Sequence, residues 1–277
     1  MPMRFRTDGK YVRKLDLNRR IMPYIMKGKT ESSVYFKQTI PVEKSWQFLE
    51  IFRNTHGIKV SFFHLVLWAG AQVMNDHPAL NRFIAGKRMY QRKGLFITYS
   101  AKKEMTSSAP VVALKKEIEP EWDFKTFVEN ISSSVSDGKS NRQSHTDKEL
   151  SLLFKLPGFL LSIFAFLIRK LDHFGFLPHA FIKNDPLFSS VFIANLGSIG
   201  LDAAYHHLFE YGNIPIFITI GNKQLEPMVN DEGKLDVQEV ITLKYTFDER
   251  IIDGFYCRKA LEQIKDILRA PEDFINA

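Results

Sequence analysis

The chain has 277 residues, of which 45% are hydrophobic and 25% charged, and it carries a net charge of +7. This apolar content, with 24 Phe, excludes a disordered chain and is enough for a sizeable core. No Pro/Gly/Ser-rich linker divides it, so a single domain over residues 1–277 is expected. The lone cysteine, Cys257, excludes an internal disulfide, and the absence of a leader-like apolar stretch makes the cytoplasm the expected compartment.

Residues 1–30 form a basic arm in which Arg4, Arg6, Lys10, Arg13, Lys14, Arg19, Arg20, Lys27 and Lys29 face only Asp8 and Asp16. Such a segment either draws an anionic partner or is a solvated arm. Without a zinc-type Cys/His spacing, a helix-turn-helix signature or an RNA-binding aromatic motif, no nucleic acid partner is expected. Nor is a metal.

Residues 33–40, SVYFKQTI, are β-branched and aromatic and read as a strand, followed by a helix over about 42–54 that His56-Gly57 closes. Ser61 caps a strongly apolar helix, FFHLVLWAGAQVM, which stops at the turn signal Asn75-Asp76-His77-Pro78. Strands are predicted over 89–100 and 109–113, a helix over 122–135 and a polar loop over 136–148.

Residues 152–168, LLFKLPGFLLSIFAFLI, are the most apolar in the chain, but Lys155 and Pro157-Gly158 leave a clean run of only about ten residues where a membrane span needs ~20. Core packing or a lid over an apolar ligand is the leading expectation, and peripheral membrane contact helped by the basic arm is the alternative. Beyond it, strands over 189–194, 214–220 and 237–247 precede a helix over 254–268. The alternation is that of a mixed α/β protein.

Three segments carry a family resemblance. Residues 246–274, TFDERIIDGFYCRKALEQIKDILRAPEDF, resemble the C-terminal signature of the acyltransferase component of 2-oxoacid dehydrogenase complexes and of chloramphenicol acetyltransferase. VFIANLGSIG, residues 191–200, is similar to the family's strand and Asn-Leu-Gly turn, with Asn195 and Gly197 in the turn. VSFFHLVLWAGAQVMNDHPALN, residues 60–81, is similar to its helix ending in His-Pro-x-Leu-Asn. About 106–186 match least, and an apolar-helix insertion is expected over about 136–186.

The resemblance implies a two-layer sandwich with a mixed β-sheet, a homotrimer, and an active site in a channel between subunits that CoA and the acyl acceptor enter from opposite sides. CoA or acyl-CoA would be the substrate, with an acyl carrier as the other source of the acyl group. The lipoyl and peripheral-subunit-binding domains of the dehydrogenase acyltransferases are not recognised in this sequence, so a free or carrier-bound acyl group is expected rather than a lipoyl arm on the same chain.

In the family's His-x-x-x-Asp-Gly motif the His takes the proton from the attacking group and the Asp holds the local structure. Here the motif reads Glu249-Arg250-Ile251-Ile252-Asp253-Gly254, so Asp253 and Gly254 match while Glu249 stands in the place of His. The family's oxyanion-stabilising Ser, just before the Asn-Leu-Gly turn, is here Ala194. A general base contributes about 10² to 10⁴ in rate and an oxyanion donor about 10² to 10³. Moving a proton from a thiol to an ordinary glutamate is uphill by about 6 kcal/mol, against about 3 kcal/mol for histidine, so an amine or hydroxyl acceptor suits a glutamate base better.

His206 and His207 could replace the lost base, or could be surface and packing residues. Cys257 is expected to be a buried packing residue. Asp253 is expected to accept backbone hydrogen bonds or pair with an arginine, and Gly254 to permit a tight strand-to-helix turn. The chain therefore reads as an acyltransferase-like protein with Glu249 in place of the usual His. The alternative is a non-catalytic relative that binds CoA or an acyl ligand, or serves as a trimeric scaffold.

Overall fold

The computed structural model of the protein describes residues 6–102, 111–139, 155–229 and 232–275. In chain order the strands are β1 (Gly9–Tyr11), β2 (Ser33–Pro41), β3 (Arg82–Ala85), β4 (Arg88–Arg92), β5 (Leu95–Lys102), β6 (Val111–Ile118), β7 (Val191–Asn195), β8 (Ile216–Val229) and β9 (Leu235–Asp248). The helices are α1 (Leu17–Ile25), α2 (Glu43–His56), α3 (Phe62–Asp76), α4 (Phe124–Lys139), α5 (Gly158–Phe174), α6 (His179–Asn184) and α7 (Gly254–Arg269).

Six strands form one sheet in the order β2-β9-β8-β7-β5-β6, parallel at β5–β7 and β7–β8 and antiparallel elsewhere. A mixed sheet is thus present, as expected. Helices α2, α3, α4 and α7 bury their apolar sides against one face, where Leu65, Trp68, Phe127 and Ile264 meet Ile97, Ile193, Ile218, Leu243 and Tyr245. The period-2 alternation of β9 explains this arrangement: Leu243, Tyr245 and Phe247 point to the helices, while Thr242, Lys244, Thr246 and Asp248 take the other face. A second, three-stranded sheet, β1-β4-β3, lies beside the main one.

Gly57, at φ 67°, ends α2, and Ser61 opens α3 with a reciprocal cap involving His64. The Ser61 N–H donates to His64 Nδ1 at 3.2 Å, so in the neutral ring Nε2 carries the proton and donates to Ser132 Oγ at 3.2 Å. Burial lowers the His64 pKa to about 4, which keeps that neutral arrangement at neutral pH.

Three expectations change. The basic arm is not simply solvated: it contributes β1 and α1, Arg6 is buried in ion pairs with Asp8 and Asp172, and buried Lys29 donates to the carbonyls of Phe209 and Gly212. Desolvated charges need such partners, so these cations cannot also serve an external anion. The loop expected over 136–148 begins as helix, since α4 runs to Lys139, and its remainder lies outside the described residues. The apolar segment is helical from Gly158, but it is not core: Ile168 is the buried residue of α5. Its first residues, 152–154, lie outside the described ones.

Candidate functional site

Glu249 follows directly on β9. Its N–H donates to the Ser32 carbonyl at 2.9 Å and its own carbonyl accepts from Arg19 Nη1 at 2.5 Å, so its backbone is held from two sides. Its neighbours in sequence form a buried ion pair, in which Arg250 donates to Asp248 through Nε at 2.8 Å and Nη2 at 2.7 Å. Asp248 also accepts from Ser32 Oγ at 3.0 Å and from the Arg250 N–H at 3.1 Å. The Glu249 side chain is half-buried, and its carboxylate has no hydrogen-bond or ion-pair partner among the described residues.

Asp253 caps α7 by accepting from the Tyr256 N–H at 2.9 Å, and it meets Arg19 Nη2 at 3.5 Å. Both roles expected of it are present. Arg19 therefore ties the motif together, since it also donates to the Ile252 carbonyl at 3.1 Å. The reason given for Gly254 does not hold within one chain. Its φ is not positive, and a Cβ added there would meet nothing within 4 Å.

Asn195 Oδ1 accepts from the Ser198 N–H at 3.2 Å and the Asn195 carbonyl from Ser198 Oγ at 2.8 Å, which folds the chain over into a tight turn. Gly197 is required here, because a Cβ would sit 2.4 Å from the Gly221 carbonyl oxygen. This close approach coincides with the irregularity that interrupts the β8–β9 register between Ile220 and Lys223. Ala194, on the last part of β7, lies opposite Thr219, whose hydroxyl donates to the Ala204 carbonyl at 2.6 Å. The position thus offers an apolar Cβ beside a hydroxyl already committed to the backbone.

His206 and His207 lie on a strap that crosses the sheet face opposite the helices. Thr246 Oγ1 donates to the His206 carbonyl and Lys244 Nζ to the Ala203 carbonyl. The His206 ring stacks on Phe217 with centroids 4.0 Å apart and on His207 at 4.8 Å. Each Nδ1 points at a carbonyl oxygen, His207 O at 2.6 Å and Leu208 O at 3.1 Å, and so must donate. Burial lowers the His206 pKa. Neither imidazole hydrogen-bonds Glu249, so within one chain the candidate histidines and the candidate base are separate.

Ala194 and Glu249 are separate too. The register puts Ala194, Thr219 and Lys244 in one row, with Glu249 five residues beyond Lys244, just past the end of β9, and two strands across. At ~3.3 Å per residue and ~4.8 Å per strand the two positions are about 20 Å apart. Cys257 is buried, and burial raises its pKa to about 12, which makes it an inert packing residue. Among the described residues no cluster of three or more His, Cys, Asp or Glu could hold a metal ion. Sequence reasoning missed Arg19, Ser32 and the Asp248–Arg250 pair. The Asp-x-Arg spacing at the end of an apolar strand was a usable signal for the pair, whereas Arg19, 230 residues from Glu249, gave none.

A mixed six-stranded sheet covered on one face by helices and carrying a strand–Asn-Leu-Gly turn and a C-terminal Asp-Gly helix is the chloramphenicol acetyltransferase-like fold. Chloramphenicol acetyltransferase itself superposes with a TM-score of 0.55 over 94% of this chain and 99% of that one, at 11% identity. A probable dihydrolipoamide acetyltransferase from Listeria monocytogenes superposes with a TM-score of 0.61, at 14% identity over 97% of both chains. Residues 185–275 match the family model of the 2-oxoacid dehydrogenases acyltransferase catalytic domain. The lipoamide acyltransferase component of the branched-chain alpha-keto acid dehydrogenase complex of Bacillus subtilis is 20% identical over 222 residues, 80% of this chain and 42% of the relative. The chain thus spans about two fifths of the length of that curated relative.

Proposed function

We propose that this chain is an acyl-transfer domain that works as a homotrimer, taking an acyl group from CoA or an acyl carrier and passing it to an amine or hydroxyl acceptor with Glu249 as the base. The observation that carries this reading is the state of Glu249. It stands where the family has its catalytic His, its backbone is anchored by Ser32 and Arg19, and its carboxylate is not consumed by an internal ion pair. The separation of about 20 Å between Glu249 and Ala194 supports a site completed by a second copy, since only another subunit can bring these two positions together.

The proposed step moves the acceptor's proton to the Glu249 carboxylate as the acceptor attacks the thioester carbonyl, and collapse of the tetrahedral intermediate expels the CoA thiolate, which takes up a proton. Ala194 supplies no hydroxyl to the oxyanion, so turnover should fall below that of a domain with Ser there by about 10² to 10³. That same substitution favours a second reading, in which the domain binds CoA or an acyl ligand, or acts as a scaffold, without turning it over.

Titration calorimetry with CoA and acetyl-CoA, followed by a thiol-release assay against amines, alcohols and thiols, separates the readings. Binding with release that Glu249→Gln abolishes supports the transferase. Binding without release supports the ligand-binding relative, and no binding overturns both. Light scattering that finds a monomer at micromolar concentration overturns the site between subunits.

A further inference from the structure

Helix α5 wears its apolar side outward. Counted at 100° per residue, Phe166, Phe159, Ile163 and Leu167 occupy an arc of about 100° on the side away from the buried Ile168, and Phe164 lies about 40° from Ile168. All five are exposed, Phe159 to 64% and Phe166 to 57%. A surface helix of a water-soluble protein has the opposite polarity. Helix α1 repeats the pattern, with Leu17, Ile21, Tyr24 and Ile25 exposed at i, i+4, i+7 and i+8 and only Pro23 buried.

The two helices flank one open cavity of about 320 Å³, walled by Pro23, Lys27, Lys87, Ile168, Arg169 and His173 among others. Lys27, Lys87, Arg169 and His173 are exposed. Two acidic side chains that also line the cavity are already spent: Asp172 pairs with Arg6 at 2.8 Å, and Glu210 accepts from the N–H groups of Lys29 and Thr30. The face between α1 and α5 is therefore apolar with a cationic rim and no free carboxylate in that set.

We infer that α1 and α5 form a docking face for an anionic lipid bilayer, each helix lying in the interface with its outward apolar side among the acyl chains and the rim cations on lipid phosphates. Length supports lying in rather than crossing. The 17 residues of α5 reach about 25 Å, short of the ~30 Å hydrocarbon core, and among the described residues no helix is long and apolar enough to span a membrane. Charge decides against a two-fold contact of this face with itself, which would bring cation onto cation, whereas anionic headgroups complement it. Arg169 and Lys170 follow directly on the apolar run, and such long cationic side chains can place their charge among headgroups while their stems stay in the apolar layer.

The test is co-sedimentation of the full chain with phosphatidylcholine vesicles, with and without phosphatidylglycerol, for the wild type, Phe159→Ser/Phe166→Ser and Arg169→Gln/Lys170→Gln. All four residues are exposed, so folding should be unaffected, and circular dichroism checks it. The wild type should bind only the anionic vesicles. The Gln pair should weaken partition about thirtyfold, from about fivefold per cation near an anionic surface, and the Ser pair should also lose binding. Phe159→Trp should gain fluorescence that brominated lipid quenches. Binding independent of phosphatidylglycerol, wild-type binding by the Ser pair, or no binding overturns the inference. So does a fall in molecular mass of the lipid-free Ser pair by light scattering, which would make the face a contact between copies.

Discussion

Two aspartates five residues apart should have very different energetic weight. Asp248 is 2% exposed and accepts from Ser32, from the Arg250 backbone and twice from the Arg250 guanidinium, which is itself buried. Replacing it with Ala strands a buried cation, which costs about 3–5 kcal/mol. Unfolding entropy of about 2.1 cal/mol/K per residue amounts to about 0.6 kcal/mol/K for this chain, so a loss of 4 kcal/mol lowers Tm by about 7 °C. Asp253 has a side chain 64% exposed and caps α7 through one bond to the Tyr256 N–H. Its replacement by Ala costs about 1 kcal/mol, or about 2 °C. Scanning calorimetry at one protein concentration compares the two variants directly. Equal shifts, or a larger one for Asp253→Ala, would refute the assignment of the buried pair as the structural anchor of the motif.

The remaining expectations test other parts of the molecule. His64, with a pKa lowered to about 4, binds its proton less readily folded than unfolded, where it titrates near 6.5. Its contribution should be present in full above pH 6.5 and lost as pH falls towards 4, and in urea melts against pH His64→Gln should flatten that part of the profile. Gly197→Ala places a Cβ 2.4 Å from a backbone oxygen and should lower the urea midpoint, while Gly254→Ala meets nothing within 4 Å and should hold or raise it. If Gly254→Ala instead leaves the monomer's stability intact but weakens assembly by light scattering, a second copy approaches at that glycine. Should thiol release be found, Glu249→Gln should reduce kcat by about 10² to 10⁴ with little change in CoA affinity by calorimetry, and a fully active variant removes Glu249 as the base.

Much of the fold was legible from local pattern. Alternation in 237–247 assigned a strand with one apolar face, Gly57 and Ser61 marked the ends of successive helices, and Asp253 announced the cap of α7, because each signal depends on neighbours within a turn or two of chain. The Asn-Leu-Gly turn and the Asp-Gly helix were readable as motifs for the same reason. The conformational argument for Gly254 failed, since the turn before α7 is built with ordinary φ values and held by Arg19 from helix α1.

Sequence by itself determined the alternation of strands and helices over 33–76 and 189–268 and the existence of an apolar helix after Pro157. Tertiary structure alone decided where the charges go: Arg6 finds Asp172 across 166 residues, Arg19 reaches Glu249 across 230, and Lys29 ends beneath Phe209 and Gly212. It alone decided that α5 turns its phenylalanines outward. Periodicity reports that a helix has an apolar side, but which surroundings that side meets is set by contacts distant in sequence, and no local pattern encodes them.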